Sequence, residues 1–200
     1  MYPIYHELIK QGSQEWFDIR KGKLSASHAC EIGNNGKGLD TYITSLMAEY
    51  YSSGEKEHFS NKHTDRGNEL EEQARTIYEL SNNFFVRQVG FVEYNEFVGA
   101  SPDGLMETKG LEIKCPDDIG YFKILLNGAP EIDSKYLWQC QMNMLVCQRD
   151  EWDICFYNPN FEQSMTTFTI KRDEEKIKKL LQGFVIGEEK IKQIKAKLNN

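Results

Sequence analysis

The residues best suited to chemistry lie in one short stretch, 101–116, which contains Asp103, Glu112 and Lys114. Asp103 follows a proline, and Glu112 and Lys114 flank the apolar Ile113. Because side chains alternate faces along a strand, Glu112 and Lys114 should point the same way while Ile113 points into the core. Two carboxylates brought together by a hairpin make an oxygen-rich site suited to Mg²⁺ or Mn²⁺. With a lysine beside it to stabilise charge or help deprotonate a metal-bound water, such a site has the groups that phosphodiester hydrolysis needs.

The competing interpretation of this stretch is a surface β-hairpin whose charges face water. A Glu-x-Lys sequence on its own would favour that interpretation. The Pro-Asp pair upstream at this spacing favours the metal site instead.

Four segments, in order along the chain, resemble one known family. They are the signature Glu-Trp-Phe-Asp-Ile-Arg-Lys-Gly at 15–22, the Gly-x-x-x-Glu helix at 66–74, the stretch 101–116, and the Gln-x-Gln helix at 136–142. Together they resemble the lambda exonuclease/YqaJ viral recombinase family of the Pro-Asp…Glu-x-Lys, or PD-(D/E)xK, nuclease superfamily. The resemblance covers about residues 13–160.

The resemblance implies a restriction-endonuclease-like α/β core, a central mixed β-sheet flanked by helices. It also implies a Mg²⁺-dependent 5′-to-3′ exonuclease, in which Mn²⁺ can substitute, that acts on ends of linear double-stranded DNA. Its 3′ single strands would serve a single-strand annealing protein, in a phage or prophage system in the host cytoplasm. The family further implies a ring-shaped homotrimer.

Several site roles follow from the resemblance and the residues together. Asp103 and Glu112 are expected to bind the metal, and the main-chain carbonyl of Ile113 to complete its shell. Glu71 matches the family's helix acid and would touch the metal or its waters, although a solvated helix charge is the alternative. Lys114 would orient or deprotonate the attacking water, or offset charge in the transition state.

Two glutamines interrupt an otherwise apolar helix, Gln139 and Gln141. A buried amide must find hydrogen-bond partners, so a satisfied core amide is one interpretation. The family favours a catalytic role for Gln139, which would bond the water or the scissile phosphate. Gln141 is expected to contact nucleic acid.

A second polar group near the start of the chain consists of Arg20, Ser25 and Ser27. A guanidinium with hydroxyls at a helix start makes a natural phosphate pocket. In the resembled family, the residues that match Arg20 and Ser27 hold the 5′-terminal phosphate. The alternative for Arg20 is a surface charge.

Composition narrows the class of protein without choosing a function. The 200 residues favour one domain over 1–200, and 40% hydrophobic with 28% charged residues is typical of a globular chain. No stretch approaches the apolar length of a membrane span. Five scattered cysteines, an odd number, favour a reduced cytoplasmic setting over a disulfide framework.

The net charge of −7 argues against strong DNA binding by a lone subunit, since DNA-binding surfaces are usually basic. A local basic patch can still act while the rest of the surface is acidic. Two alternatives to the exonuclease therefore stay open. One is a structure- or sequence-specific endonuclease of the same fold, and the other is a non-catalytic DNA-end-binding protein.

Hydrophobic periodicity and capping signals predict an α/β order of elements. A short helix is expected to begin at Ser25 or Ser27, and the segments 33–38 and 54–62 are expected to be loops. The predicted helices are 13–22, 42–51, 65–80, 117–127, 136–147 and the C-terminal 173–198, and the predicted strands are 84–92, 97–100, 104–106, 111–115, 151–157 and 165–170.

Overall fold

The computed structural model describes residues 3–53 and 62–198, and the side chains of 62–68 lie outside that description. The predicted loop at 54–62 therefore falls almost wholly outside the described residues. Within them the helices are α1 (Gln14–Arg20), α2 (Ala29–Asn34), α3 (Lys37–Tyr51), α4 (Lys62–Asn82), α5 (Asp118–Asn127), α6 (Ser134–Cys147) and α7 (Glu174–Leu198). The strands are β1 (Ile4–His6), β2 (Leu24–Ser25), β3 (Phe91–Asn95), β4 (Val98–Ala100), β5 (Gly104–Leu105), β6 (Lys109–Lys114), β7 (Glu151–Tyr157) and β8 (Met165–Lys171).

The strands form two mixed sheets. The first has the order β1-β3-β4-β2, in which β2 and β4 run parallel and the other pairs are antiparallel. The second has the order β5-β6-β7-β8, in which β6 and β7 run parallel. The α/β class with a restriction-endonuclease-like core is confirmed, and its strands are divided between these two sheets.

Helices cover both faces of the second sheet. Leu111 and Ile113 of β6 pack with Ala74 and Tyr78 of α4. On the other face, Trp152, Ile154 and Phe156 of β7 pack into the larger core, which includes residues of α6. Strand β6 is therefore buried from both sides, and α5 and α6 form the crossover that parallel strands require.

Local sequence signals set several helix boundaries. The side chain of Ser13 accepts a hydrogen bond from the main-chain N–H of Trp16 at the start of α1, and Asp117 does the same for Gly120 at the start of α5. Helix α5 ends at Asn127, and Gly128 follows it with a φ of 70°, which suits a residue without a Cβ. These caps confirm the predicted positions of both helices.

Two predicted segments differ in the structure. Residues 33–38 are not a loop, because α2 continues to Asn34 and α3 begins at Lys37; Asn35, at a φ of 52°, makes the turn between them. In the predicted strand 84–92, the ladder begins only at Phe91, preceded by an isolated bridge between Arg87 and Leu105. The apolar residues at 84–86 favour a strand by their sequence, but among the described residues they do not pair with a neighbouring strand.

Two further facts bear on the setting of the protein. The five cysteines are reduced and form no disulfide with one another: Cys30, Cys115, Cys140, Cys147 and Cys155. Across 3–53 and 62–198, the helices all fall short of the length and apolar character needed to cross a bilayer.

Candidate active site

The β5–β6 hairpin brings Asp103 next to β6. Gly104 pairs with Leu111, which places the residue just before β5 beside the middle of β6. The main-chain N–H of Ile113 donates to Asp103 Oδ2 at 2.6 Å. The hairpin thus positions one carboxylate beside the segment that carries Glu112 and Lys114.

Glu112 is buried, with 1% of its surface exposed, on the face of the sheet that α6 covers. Its Oε1 accepts from Lys114 Nζ at 2.6 Å and from Gln139 Nε2 at 2.6 Å, and its Oε2 accepts from Asn143 Nδ2 at 3.0 Å. Lys114 Nζ also donates to Gln139 Oε1 at 3.3 Å. The interpretation of this stretch as a surface hairpin with solvated charges is therefore wrong.

Glu71 approaches the same hairpin from α4, on the opposite side of the sheet. Arg75, one turn further along that helix, donates from Nη2 to Glu71 Oε1 at 3.2 Å and from Nε to the main-chain oxygen of Asp103 at 3.1 Å. The side chain of Glu71 is 30% exposed. It is thus partly buried at the margin of the hairpin.

The electrostatics of the group reflect several carboxylates withdrawn from water together. Burial, and then the charge of Asp103, raise the pKa of Glu112 to about 8 and that of Glu71 to about 7. Burial also raises the pKa of Asp103, although Lys114 opposes the shift. Burial would lower the pKa of Lys114, but the charges of Glu112 and Asp103 outweigh it and raise that pKa. Three neighbouring carboxyl groups with raised pKa values favour a bound cation, because a cation stabilises their ionised forms.

The donor set fits a magnesium-type ion. Mg²⁺ is usually held by one or two carboxylates, with waters and substrate phosphates filling the remaining positions. Asp103 and Glu112 supply such a pair. Among the residues the structure describes, no group of three or more His, Cys, Asp or Glu side chains is arranged to hold a metal ion by itself. At a site with this carboxylate pair, waters and substrate phosphates would fill the remaining positions around the ion.

The predicted phosphate pocket is brought together around Tyr42. The Oγ atoms of Ser25 and Ser27 lie 3.1 Å apart, and Ser25 Oγ lies 3.2 Å from Tyr42 Oη. The Arg20 guanidinium stacks on Trp16, with its central carbon 3.9 Å from the ring centroid. Burial lowers the pKa of Arg20 from its usual value, and Tyr42 acts against that shift. Arg20 is thus a partly buried cation and not a surface charge.

The loop that carries Asp103 also joins the two polar groups. Arg20 Nη1 donates to Ser101 Oγ at 3.1 Å, and Trp16 Nε1 donates to the same oxygen at 2.9 Å. Ser101 precedes Asp103 by two residues, which limits their Cα separation to roughly 7 Å. The phosphate pocket and the carboxylates are therefore neighbours.

Gln141 does not join either group. Its Nε2 donates to the main-chain oxygen of Lys171 at 2.8 Å, and its Oε1 accepts from the main-chain N–H of Asp173 at 2.8 Å. With 3% of its surface exposed, Gln141 has the environment of a satisfied core amide that ties α6 to the start of α7.

Sequence reasoning missed three side chains that support the site. Asn143 lies four residues after Gln139 on α6, and Arg75 lies four residues after Glu71 on α4. Residues at this spacing share a helix face, so helical spacing could have found both. Gln11, whose Nε2 donates to the main-chain oxygen of Pro102 at 2.9 Å, had no comparable signal. Its contact depends on how the N-terminal segment packs.

Comparison with known proteins assigns the chain to a class and then to a family. The class is that of the nucleases, and within it the model of the YqaJ-like viral recombinase domain matches residues 15–150. The chain therefore belongs to that family, as the sequence resemblance predicted. No curated protein sequence matches the chain significantly.

Solved structures agree with this assignment. The crystal structure of an alkaline exonuclease, LHK-Exo from Laribacter hongkongensis, has 26% identity and a TM-score of 0.78, and the match covers 94% of this chain and 98% of that one. The same enzyme in complex with dAMP has a TM-score of 0.80 with the same identity and coverage. A phage-related exonuclease from Haemophilus somnus 129PT shares the fold, with 22% identity, a TM-score of 0.68, and coverage of 88% of this chain and 96% of that one. Family and neighbours support a DNA exonuclease, a class that usually needs a divalent metal.

Proposed function

We propose that this chain is a Mg²⁺-dependent 5′-to-3′ exonuclease that degrades linear double-stranded DNA. The 3′ single strands that it leaves would serve a single-strand annealing protein in recombination. The observation that carries the proposal is the cluster that Asp103, Lys114 and Gln139 form around the buried Glu112 at the end of β6. Residues 1–200 would act as one exonuclease domain in the cytoplasm of a host cell, encoded by a phage or prophage.

Asp103, Glu112 and the main-chain carbonyl of Ile113 would hold the ion, and Glu71 would contact it or its waters. A bound Mg²⁺, or Mn²⁺ in its place, supplies activation of water and neutralisation of charge on the phosphate. The raised pKa values of Glu112 and Glu71, which burial and then the charge of Asp103 produce, support this assignment, since a nearby cation favours the ionised carboxylates.

Lys114 and Gln139 would act on the attacking water and the scissile phosphate. A lysine ammonium has three N–H donors, and the described contacts of Lys114 use two of them, to Glu112 and to Gln139. The third can donate to a phosphate oxygen or to the attacking water. Gln139, held between Lys114 and Glu112, would orient the same water.

Arg20, Ser25 and Ser27 would seat the 5′-terminal phosphate of the strand being degraded. The contact of Arg20 with Ser101 supports this role, because it places the pocket beside the Asp103 loop. A terminal phosphate bound there would bring a phosphodiester near the end of the strand to the carboxylates. Such an arrangement favours cleavage from an end over cleavage within a duplex.

The decisive assay compares linear with closed circular duplex DNA in the presence of Mg²⁺. An exonuclease degrades the linear form and leaves the circle intact. Cleavage of both forms would identify an endonuclease, and binding to ends without degradation would identify a non-catalytic protein.

We predict that 5′-phosphorylated linear duplex is degraded about 10–100-fold faster than 5′-hydroxyl duplex. The physical reason is that hydrogen bonds from a charged group contribute roughly 1.5–3 kcal/mol. Arg20→Ala should remove the preference and leave residual activity on both ends. Rates of nucleotide release on the two substrates measure the effect.

Lys21→Ala is the matched control for this prediction, since it removes the adjacent exposed positive charge and leaves Ser101 bonded to Arg20. It should retain the preference for the phosphorylated end. Equal wild-type rates on the two ends would contradict the pocket and favour the endonuclease.

We also predict a closed ring of subunits, most simply a homotrimer, with the active sites facing its channel. A net charge of −7 gives a lone subunit a weak grip on DNA, yet resection requires many successive steps. A ring that encloses the duplex holds it without strong phosphate contacts. Light scattering should then give a mass near three times the 23.3 kDa of the chain.

A processivity trap completes this test of assembly. Excess competitor DNA added after the reaction begins should not stop enzyme that already encloses a duplex. A 23.3 kDa monomer that degrades long tracts in the presence of the trap would contradict the ring.

A further inference from the structure

One face of α4 carries three polar side chains directed at the second sheet and its hairpin. Glu71, Arg75 and Tyr78 lie at positions i, i+4 and i+7, so they share a helix face. Tyr78 Oη donates to Asp153 Oδ2 at 2.5 Å, and that oxygen also accepts from Lys109 Nζ at 2.5 Å. Tyr78 and Asp153 are buried, and this pair fixes the rotation of α4 over the sheet.

Arg75 connects this fixed helix to the loop of Asp103. Its Nε donates to the main-chain oxygen of Asp103 at 3.1 Å, and its Nη2 donates to Glu71 Oε1 at 3.2 Å. The side chain of Arg75 is 13% exposed, so these bonds are largely shielded from water. One rigid guanidinium therefore sets the position of Glu71 relative to Asp103.

Side chains from the N-terminal part of the chain also bond this loop. Ser101 Oγ accepts from Trp16 and Arg20, and the main-chain oxygen of Pro102 accepts from Gln11. These bonds hold the loop on the side of the phosphate pocket. The bond from Arg75 holds it on the side of the helix acid.

We propose that Arg75 is a positioning residue of the active site, which holds Glu71 and Asp103 at the separation that the cation requires. The inference rests on the proposed function, because it assigns Arg75 to the same carboxylates. Arg75 acts through the planar geometry of its guanidinium, since two of its nitrogens point at two acceptors in fixed directions. Its positive charge is a separate property, and it opposes a bound cation.

Arg75→Lys separates geometry from charge, because lysine keeps the positive charge and loses the two N–H donors that the planar guanidinium holds in fixed directions. We expect kcat on 5′-phosphorylated linear duplex to fall about 10–100-fold, the usual effect of losing a group that orients a metal ligand. KM for DNA should not change, since Arg75 is not placed against substrate. Calorimetric titration with Mn²⁺ alone should show binding weakened by about 10-fold.

Arg87→Lys is the matched control. Arg87 also pairs with a glutamate, Glu7, but both side chains are more than 40% exposed. This variant should retain wild-type kcat and Mn²⁺ affinity. Arg75→Gln, which keeps a donor for the oxygen of Asp103, is the second variant if Arg75→Lys does not melt cooperatively, and it should also lower kcat.

Wild-type kcat and wild-type Mn²⁺ affinity in a folded Arg75→Lys variant would overturn the inference and leave the proposed function standing. Equal losses in the Arg75→Lys and Arg87→Lys variants would overturn it too. If the wild-type protein degrades no DNA, the proposed nuclease fails, but the Mn²⁺ titration still decides the role of Arg75. Absence of Mn²⁺ binding by the wild type would overturn both.

Discussion

Asp103→Asn and Glu112→Gln should each lower exonuclease activity by at least about 10³-fold. Metal activation contributes several kcal/mol to such reactions, and each 1.36 kcal/mol is a factor of ten in rate. Both variants replace one carboxylate oxygen of the proposed ion site with an amide nitrogen. Calorimetry with Mn²⁺ should show weak binding or none, and nucleotide release from linear duplex should be near the background rate.

Amide variants test this assignment better than alanine does. Glu112 accepts from Lys114, Gln139 and Asn143, so alanine would leave the partly buried Lys114 ammonium without its carboxylate. Removing one partner of a fully buried pair costs about 3–5 kcal/mol of folding free energy, and this partly exposed pair approaches that cost from below. Asparagine at position 103 likewise keeps an oxygen for the main-chain N–H of Ile113.

Glu107→Gln is the matched control for both amide variants. Glu107 is an exposed carboxylate in the same β5–β6 hairpin. It should keep wild-type activity and Mn²⁺ affinity. Normal Mn²⁺ binding by Asp103→Asn would refute the assignment of that carboxylate as a ligand.

Lys114→Met should retain the ion and lose about 10²–10³-fold in rate. Methionine keeps most of the length of the side chain and removes the charge, while Glu112 keeps its bonds from Gln139 and Asn143. Removing a cation beside carboxylates does not weaken the attraction for a metal. The loss of rate reflects one missing preorganised group for the developing charge.

The measurement for Lys114→Met pairs single-turnover rates with a Mn²⁺ titration. Lys123→Met, which removes an exposed lysine from α5, is the control and should behave as wild type. A Lys114→Met variant with wild-type turnover would show that the ammonium has no part in the chemistry.

The sequence predicts best those elements whose signals are local. Asp117 and Gly128 mark both ends of α5, and the β-branched and aromatic run of β7 appears at its predicted bounds. The segment 84–90 is the opposite case. Its apolar residues favour a strand, but pairing depends on a neighbour far away in the chain, and the ladder forms at Phe91.

The candidate site shows the same division. Asp103, Glu112 and Lys114 lie within 12 residues of one another, and a single hairpin brings them together. Sequence spacing was enough to group them. The bond from Arg75 to the main-chain oxygen of Asp103 forms only because α4 docks on the sheet, and the bond from Gln11 to Pro102 only because the N-terminal segment packs against the Asp103 loop. Neither contact follows from spacing along the chain.

Because the site takes side chains from helices on both faces of the second sheet, the order of synthesis determines when the site is complete. The hairpin that carries Asp103 and Glu112 leaves the ribosome before α6 and before β7, the parallel neighbour of β6. At 5–20 residues per second, the 43 residues from Cys115 to Tyr157 take roughly 2–9 s to make. Until Gln139 and Asn143 have been made, Glu112 lacks their hydrogen bonds, so a nascent chain carries the carboxylates without a finished centre.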